Sequence, residues 1–449
     1  MLLSIALLLL VGQTLASAIQ DPIRFGIPKS YVDEIYGDLV DTPGSRQHKA
    51  YLLQSNSVSS SSFEDTYSKN PFSSYQELER QHKLSSRKAA HNGYLRSRSK
   101  IDYPDDDDTS DLTEYNMFGG IVTYAGFPTF NCFDKEQFDK QIDIAVVGAP
   151  FDTGVSYRPG ARFGPDAIRS GARRLGHGGV NPGRGNTRDS PLAGIDPYNT
   201  DLSIVDCGDV PMTPFDNRIA LNQLYRGQRA IHNHKGKHNA PRIITMGGDH
   251  TITLMALRSA YEKYGKLAVL HFDSHIDTWD PKKLGGGITD YMSLNHGTFL
   301  HYAAEQGYLA KDHCFHLGIR APYIDSEYDK KHDKKCGFDF FTARDIDHLG
   351  KKGMVERVKS VVGDLPVYIS VDIDVLDPSF APGTGTMEIG GWSTRELLSI
   401  LDSLDGLNIV GADVVEVSPP FDNNSEVTSL AATGVIDSIL GLMIYDMKK

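Results

Sequence analysis

The chain has little cysteine and no excess of positive charge. Its four cysteines show no CxxC spacing, which excludes the usual zinc-finger and dithiol redox signatures. They are Cys132, Cys207, Cys314 and Cys336. Disulfides in an oxidising compartment and buried free thiols are both compatible with this spacing. The formal net charge is −12, whereas a general nucleic-acid binder shows a basic surface, so we expect no nucleic-acid partner.

The sequence that follows the N-terminal segment also lacks long apolar runs. None of its runs approaches the roughly 18 consecutive apolar residues of a membrane helix. The chain starts MLLSIALLLLVGQTLASA, and its apolar part is too short to span a bilayer. A small-x-small sequence follows at residues 16–18. The pattern predicts a cleaved secretory signal over 1–18, with an uncleaved anchor or a chance apolar start as the alternatives. We therefore expect a secreted protein, outside the cell, in the wall or in a vacuolar lumen, without membrane contact after cleavage.

Residues 19–115 differ in composition from the rest of the chain. They include a serine-rich stretch, SNSVSSSSFEDTYSKN, and an acidic run, DYPDDDDTSD. Such segments bury too little apolar surface to offset the entropy cost of ordering. We expect a low-complexity, mostly disordered region or pro-segment here, followed by one folded domain over 116–449.

From residue 116 onward, strand-like and helix-like runs alternate. Seven runs are typical of strands, and several are continuously apolar, as strands buried on both faces are: IDIAVVGAP, DLSIVDCGDV, RIITMGGD, KLAVLHFDSH, CFHLGIR, PVYISVDIDV and NIVGADVVEV. Six helical patterns lie between or after them. The alternation predicts an α/β fold with a mainly parallel sheet and helices on both faces. Ligands bind such sheets beyond the carboxyl ends of the strands.

Residues able to do chemistry follow four of the predicted strands. They are the GGDH motif ending in His250, the motif Asp273-Ser274-His275-Ile276-Asp277, the pair Asp372 and Asp374, and Glu416. Because side chains alternate along a strand, we expect the acids and histidine of each motif to project to one side. Each motif alone has an ordinary structural explanation, such as a helix cap or a local hydrogen bond. Their combination at the ends of strands in one domain indicates a site.

The charges of these motifs indicate two metal ions. Four aspartates carry four negative charges, which two divalent cations balance. Two such ions roughly 3.5–4 Å apart form a known hydrolytic arrangement. A single ion would leave carboxylates that must protonate or repel one another. An oxygen-rich ligand set with two imidazoles suits manganese better than structural zinc. We therefore expect two Mn²⁺ ions per subunit.

The motifs GGDH, DSHID, SVDIDVLDP with APGTGT after it, and DVVEVSPP resemble those of the ureohydrolase family, which includes arginases and agmatinases. The upstream segment GAPFDTGVSYRPGARFGPDAIR is similar to that of the agmatinase branch. The resemblance extends from about Asn131 to the C-terminus. It implies a three-layer α/β/α fold of the arginase and deacetylase type, with a mainly parallel eight-stranded sheet. It also implies a homo-oligomer, either a trimer or a hexamer.

The resemblance implies six metal ligands: His250, Asp273, His275, Asp277, Asp372 and Asp374. Asp273 and Asp372 would bridge the two ions. His250 and Asp277 would complete the site of one ion, and His275 and Asp374 that of the other. Ser274 stands where the family usually has alanine, and we expect its small side chain to point away from the ligands.

The resemblance also implies three catalytic residues: Asp277, His296 and Glu416. A metal-bridging hydroxide would attack the guanidinium carbon and release urea and an amine. Asp277 would orient the hydroxide, and Glu416 would pair with the guanidinium. His296, in NHGTF, would protonate the leaving amine. His271 is either a support for the ligands or a packed core histidine.

The loop TWDPKKLGGGITDYMSLNHG determines the expected substrate. It lacks the asparagine, threonine and serine pattern with which arginases bind the amino-acid head. Trp279, Asp280 and Asp290 suit an amine tail, whereas Lys282 and Lys283 suit a carboxylate tail. We expect agmatine first, giving putrescine and urea, then 4-guanidinobutyrate, then arginine. A zinc-dependent deacetylase-type amide hydrolase and a non-enzymatic protein that keeps metals for stability are alternatives of other classes.

Overall fold

The computed structural model describes residues 119–176, 190–284 and 293–448. The predicted signal at 1–18 and the predicted disordered region at 19–115 lie outside them. Eight strands form one sheet: β1 Ile144–Ala149, β2 Ile204–Asp209, β3 Arg242–Gly247, β4 Ala268–Phe272, β5 Cys314–Ile319, β6 Phe338–Thr342, β7 Pro366–Asp372 and β8 Asn408–Val415. The described α-helices are α1 Gly164–Gly171, α2 Asn217–His232, α3 Thr253–Tyr264, α4 Phe299–Glu305, α5 Ser326–Cys336, α6 Asp345–Val362, α7 Thr394–Asp402 and α8 Val427–Met447.

All neighbouring strands in the sheet are parallel, in the order β2-β1-β3-β8-β7-β4-β5-β6. The last two strands of the chain, β7 and β8, lie between β3 and β4. The four strands that precede the functional motifs are therefore neighbours in the middle of the sheet. Because parallel strands end at the same edge, all four motifs meet there.

The sheet is buried on both faces. Every residue of β1 is buried, with Ile144 and Val146 in one core and Ala145 and Val147 in the other. Residues of α1, α6, α7 and α8 pack in the first core, and residues of α2, α3, α4 and α5 in the second. The predicted three-layer α/β/α fold with an eight-stranded sheet is confirmed.

Three elements, β6, α4 and α5, were not among the predicted runs. β6 is a five-residue edge strand, FDFFT, with an acidic residue and partial exposure. α4 has only seven residues. α5 reads SEYDKKHDKKC and buries Asp329, Asp333 and Cys336, so it has no apolar stripe to recognise. Contacts with the rest of the fold, rather than periodicity, stabilise these elements.

Among the described helices, α8 alone is long and apolar enough to cross a membrane by length and composition. In the structure 83% of its most apolar window is buried within the protein. It packs against α1, α7 and β8. The helix is part of the protein core.

Both states that the cysteine spacing left open occur in the structure. Cys132 and Cys207 form a disulfide, with Cα atoms 5.4 Å apart, which ties the segment before β1 to β2. Cys314 and Cys336 are free, buried thiols.

Candidate active site and metal centre

His250 lies in a short 3-10 helix directly after β3. The turn needs glycine at Gly248, since a Cβ there would lie 1.8 Å from the carbonyl oxygen of Phe151. Asp249 caps the turn and accepts the backbone N–H of Gly154 at 2.7 Å. The GGDH motif therefore does two things: it ends the strand with His250 facing β4 and β7, and it anchors the loop after β1.

One part of the site surrounds the Nδ1 atom of His250. This atom lies 3.1 Å from Asp273 Oδ2, 3.1 Å from Asp277 Oδ2 and 3.4 Å from Asp372 Oδ2. All four side chains are buried. Within the described part of the chain, neither His250 Nδ1 nor Asp273 Oδ2 has a hydrogen-bond partner. Orphaned buried polar atoms cost free energy, and a shared cation would satisfy both, so these residues fit a metal ion.

A second part of the site surrounds the Nδ1 atom of His275. It lies 3.3 Å from Asp273 Oδ1 and 3.1 Å from Asp374 Oδ2. Asp273 thus faces His250 with one oxygen and His275 with the other, as a carboxylate shared by two ions would. Each of the two shared aspartates also accepts the backbone N–H of the residue two positions on: Asp273 Oδ1 that of His275 at 2.6 Å, and Asp372 Oδ1 that of Asp374 at 2.8 Å.

The expectation that strand alternation aligns these side chains was wrong. β4 ends at Phe272, so Asp273 and the residues after it lie on irregular backbone. Asp277 has a φ of 51°, and Asp374 lies in a 3-10 helix after β7. Glu416, after β8, also has a positive φ, 61°. Non-glycine residues rarely adopt this conformation, and strained backbone of this kind is concentrated at functional sites.

The expectation for Ser274 was also wrong. Its hydroxyl donates to Asp374 Oδ1 at 2.7 Å and lies 3.0 Å from His275 Nδ1. Its backbone N–H donates to the same Asp374 oxygen at 3.1 Å. The side chain points into the cluster because the strand has already ended, and it holds Asp374 in position.

The crowded carboxylates change the protonation equilibria of the site. Burial and the charges of Asp374 and Asp273 raise the pKa of Asp372 well above its ordinary value. Burial and the charge of Asp273 raise the pKa of Asp277 to about 6. Burial lowers the pKa of His250, but the three carboxylates beside it outweigh this effect and raise it well above its ordinary value. The cluster therefore favours cations, and divalent ions would displace its protons.

His296 and Glu416 form a pair beside the cluster. His296 Nδ1 lies 3.1 Å from Glu416 Oε1, and His296 Nε2 lies 2.8 Å from Ser156 Oγ. Glu416 Oε1 also accepts the backbone N–H of His250 at 2.9 Å. Its Oε2 is buried and, as far as the described residues extend, has no partner. This oxygen can accept a hydrogen bond from a cationic ligand.

A chain of polar side chains fixes the ring of His250 from the other side. His250 Nε2 lies 2.7 Å from Ser370 Oγ, which donates to Asp413 Oδ1 at 2.6 Å. Asp413 Oδ2 accepts hydrogen bonds from Thr253 and Tyr368, both at 2.8 Å. Such partners set the orientation of a ligand imidazole. Ser370 and Asp413 were not predicted from the sequence, although single polar residues inside the apolar runs of β7 and β8 were an available signal.

His271 contacts the cluster and extends the polar network to α5. Its Nε2 lies 3.0 Å from Asp273 Oδ2, and its Nδ1 lies 2.8 Å from His316 Nδ1. His316 Nε2 lies 2.9 Å from Asp333 Oδ1. Burial lowers the pKa of His271 to about 3, so the ring is neutral. His271 is fully buried, and neither its Nε2 nor Asp273 Oδ2 has a hydrogen-bond partner among the described residues, so both alternatives for His271 stay predictions.

The loop expected to select the substrate tail contacts α5. Trp279 Nε1 donates to Asp329 Oδ2 at 3.1 Å, and the hydroxyl of Tyr328 donates to Asp280. Lys283 lies 3.5 Å from an aspartate just before α5. These contacts give the residues a structural role, and their contact with the substrate tail stays a prediction. Asp290 and the glycine run 285–287 lie outside the described residues.

The fold and the cluster together define a hydrolase of the α/β class with a site suited to two metal ions. A model of the Arginase family matches residues 142–441. The chain is 44% identical over 344 residues to "Putative agmatinase 1" of Schizosaccharomyces pombe, covering 73% of this chain and 84% of that protein. It is 35% identical over 329 residues to the agmatinase of Proteus mirabilis, covering 73% and 95%.

A solved structure agrees with these relatives. Proclavaminate amidino hydrolase from Streptomyces clavuligerus matches with a TM-score of 0.62 and 34% identity, covering 74% of this chain and 100% of that chain. The chain belongs to the arginase family and is a ureohydrolase with agmatinase-like relatives. This replaces the deacetylase-type and non-enzymatic alternatives.

Proposed function

We propose that this ureohydrolase hydrolyses agmatine to putrescine and urea with two Mn²⁺ ions. The observation that carries the proposal is Glu416, whose buried Oε2 lacks a partner among the described residues and whose Oε1 contacts the His250 backbone. A guanidinium presents N–H donors that match a carboxylate. Relatives named as agmatinases, at 35% and 44% identity, support agmatine as the guanidino compound.

We assign the metal ligands as the sequence predicted: His250, Asp273, His275, Asp277, Asp372 and Asp374. The first ion would contact His250 and Asp277, and the second His275 and Asp374, with Asp273 and Asp372 shared. The two-sided position of Asp273 supports this division. Two such ions, when bound, lower the pKa of a shared water molecule and supply hydroxide near neutral pH.

The protein side chains bind the substrate and move the proton. Glu416 accepts hydrogen bonds from the guanidinium and holds its carbon beside the cluster. Asp277 orients the attacking oxygen by a hydrogen bond to its carboxylate. His296 donates a proton to the leaving amine as the carbon–nitrogen bond breaks. Burial lowers the pKa of His296, but Glu416 outweighs this effect and raises it, which keeps a proton available near neutral pH.

Urea release from agmatine, 4-guanidinobutyrate and arginine, measured in parallel with Mn²⁺-loaded protein, tests the proposal. We expect the highest kcat/KM with agmatine. Greater activity with either other substrate would overturn the substrate assignment. No urea from any of the three would overturn the proposed reaction.

We also propose that the protein is secreted and forms a homo-oligomer, a trimer or a hexamer. The apolar N-terminus and the Cys132–Cys207 disulfide support secretion, because disulfides persist in oxidising compartments. N-terminal sequencing of protein from the culture medium should begin near residue 19. Light scattering of the same material gives the number of subunits.

A further inference from the structure

A second group of metal-binding side chains lies on α4 and α5, outside the proposed active site. His301 on α4 and His332 and Cys336 on α5 each offer one ligand atom, and these atoms lie within 4.8 Å of one another. His332 and Cys336 are one helical turn apart, so they share a face of α5. Cys336 is a buried free thiol, and both imidazoles are half-buried.

The distances are close to those of a tetrahedral ion. Zn–N bonds of about 2.0–2.1 Å and a Zn–S bond of about 2.3 Å place ligand atoms roughly 3.3–3.6 Å apart. His301 Nδ1 and His332 Nε2 are 2.9 Å apart and share a hydrogen bond. An ion requires these nitrogens to separate by about half an ångström and the sulfur, which lies within 4.8 Å of both, to approach by at most about 1.3 Å.

The two imidazoles are in the protonation state that binds a metal ion. Burial lowers the pKa of His301 to about 4 and places that of His332 below its ordinary value. Both rings are therefore neutral at pH 7, the form that binds metals. The negative charge of Asp280 acts on both imidazoles, and the positive charge of Lys335 opposes it. Burial raises the pKa of Cys336 to about 12, so an ion must displace the thiol proton. The ring of Tyr328, which donates to Asp280, stacks on His332 at 5.8 Å.

We propose that His301, His332 and Cys336 form a binding site for a zinc-type divalent cation, separate from the manganese cluster. The donor atoms distinguish the two sites. Nitrogen and sulfur ligands suit Zn²⁺, whereas the oxygen-rich cluster at the strand ends suits Mn²⁺. Three protein ligands leave the fourth position of the tetrahedron for water or another ligand.

An ion at this site links two helices that hold the active-site segment after β4. The carbonyl oxygen of Asp277 accepts the backbone N–H of Leu300 on α4 at 3.1 Å. The hydroxyl of Thr278 donates to Asp333 on α5 at 2.6 Å. The cation therefore cross-links α4 and α5, the two helices that hold the segment of the proposed manganese ligand Asp277. Because it binds the folded state, it also stabilises that state.

Cobalt(II) is the probe that separates this site from the cluster. Co²⁺ bound to a thiolate has a strong near-ultraviolet charge-transfer absorption, which ligation by oxygen and nitrogen alone lacks. After titration confirms the free thiols, we expect this band in the wild type and in Asp374→Ala, and its loss on addition of Zn²⁺. His332→Gln and Cys336→Ser should lack the band. Cys314→Ser, which changes the other buried free thiol, should retain it.

Thermal unfolding provides a readout that is independent of activity and of the proposed substrate. Zn²⁺ should raise the Tm of the wild type more than that of His332→Gln. The half-buried position of His332 makes this variant the decisive one if Cys336→Ser fails to fold. Absence of the band in folded wild-type protein, or its persistence in folded His332→Gln, overturns the proposal.

Discussion

His296 Nδ1 lies 3.1 Å from Glu416 Oε1, although the two residues are 120 positions apart in the chain. The opposite ring nitrogen contacts Ser156, so the imidazole is held between a carboxylate and a hydroxyl. The side chain of Glu416 is 1% exposed and that of His296 12%, which leaves the histidine as the member with access to solvent. This arrangement fits a residue that exchanges protons with a leaving group.

Replacement of His296 tests its role as proton donor. His296→Asn should lower kcat for agmatine by about 10²–10⁴-fold, the usual contribution of a general acid. Bound manganese should remain unchanged, since His296 is not among the assigned ligands. Added imidazole should restore part of the activity. A kcat equal to that of the wild type would contradict the assignment.

Glu416→Gln keeps the shape of the side chain and its contact with the His250 backbone, but removes the charge. Hydrogen bonds to a charged group are worth about 1.5–3 kcal/mol, so kcat/KM for agmatine should fall about 10- to 100-fold. Steady-state kinetics measures the change, and elemental analysis should show unaltered metal content. An unaffected kcat/KM would exclude Glu416 as the guanidinium partner.

Ser370→Ala should weaken manganese binding without removing a ligand. The substitution breaks the link from His250 to Asp413, and loss of such a partner lowers metal affinity by about 10- to 100-fold. Metal-binding titration measures the effect. Ser360→Ala is the matched control, because Ser360 lies on the exposed side of α6 and its hydroxyl bonds a helix carbonyl. Equal manganese affinities in the two variants would argue against a role for the His250–Ser370–Asp413 hydrogen bonds in metal binding.

The protein should lose stability as the pH decreases, and His232 should account for part of that loss. Burial, with a smaller effect of Lys263, lowers its pKa from 6.5 to about 3. Its contribution is present above pH 6.5 and is lost as pH falls toward 3, because only the unfolded chain takes up the proton there. From pH 7 to pH 5 the free energy of unfolding should drop by about 2 kcal/mol more in the wild type than in His232→Gln. Denaturant unfolding in the same buffers measures this, and identical slopes would contradict it.

Local patterns predicted the part of the fold that depends on hydrophobic periodicity. The apolar runs of β1, β3, β4, β7 and β8 and the polar motifs after them were visible, because buried parallel strands are apolar throughout. β6 was not, since it is a five-residue edge strand whose alternation is interrupted by an acid and an exposed phenylalanine, and α5 was not, since most of its residues are polar. Which strands lie side by side depends on the placement of β7 and β8 between β3 and β4, which no local pattern contains.

In the candidate site, too, local motifs predicted some features and tertiary packing determines the others. His250, Asp273 and Asp374 could be named from their motifs, but their mutual geometry comes from the irregular backbone after each strand. The side chain of Ser274 points into the cluster because the backbone is irregular at that position. The contact of Ser156 with His296 joins two distant loops. Such contacts depend on tertiary packing, which sequence periodicity does not describe.

The manganese content of the reconstituted protein shows whether the cluster at the strand ends holds two ions. Metal-free protein saturated with Mn²⁺ and freed of excess metal should contain two ions per chain. Asp374→Ala should contain fewer, while Asp364→Ala, which alters an exposed aspartate at the other end of β7, should still contain two. Fewer than two ions in the wild type, or an unchanged content in Asp374→Ala, would contradict the account.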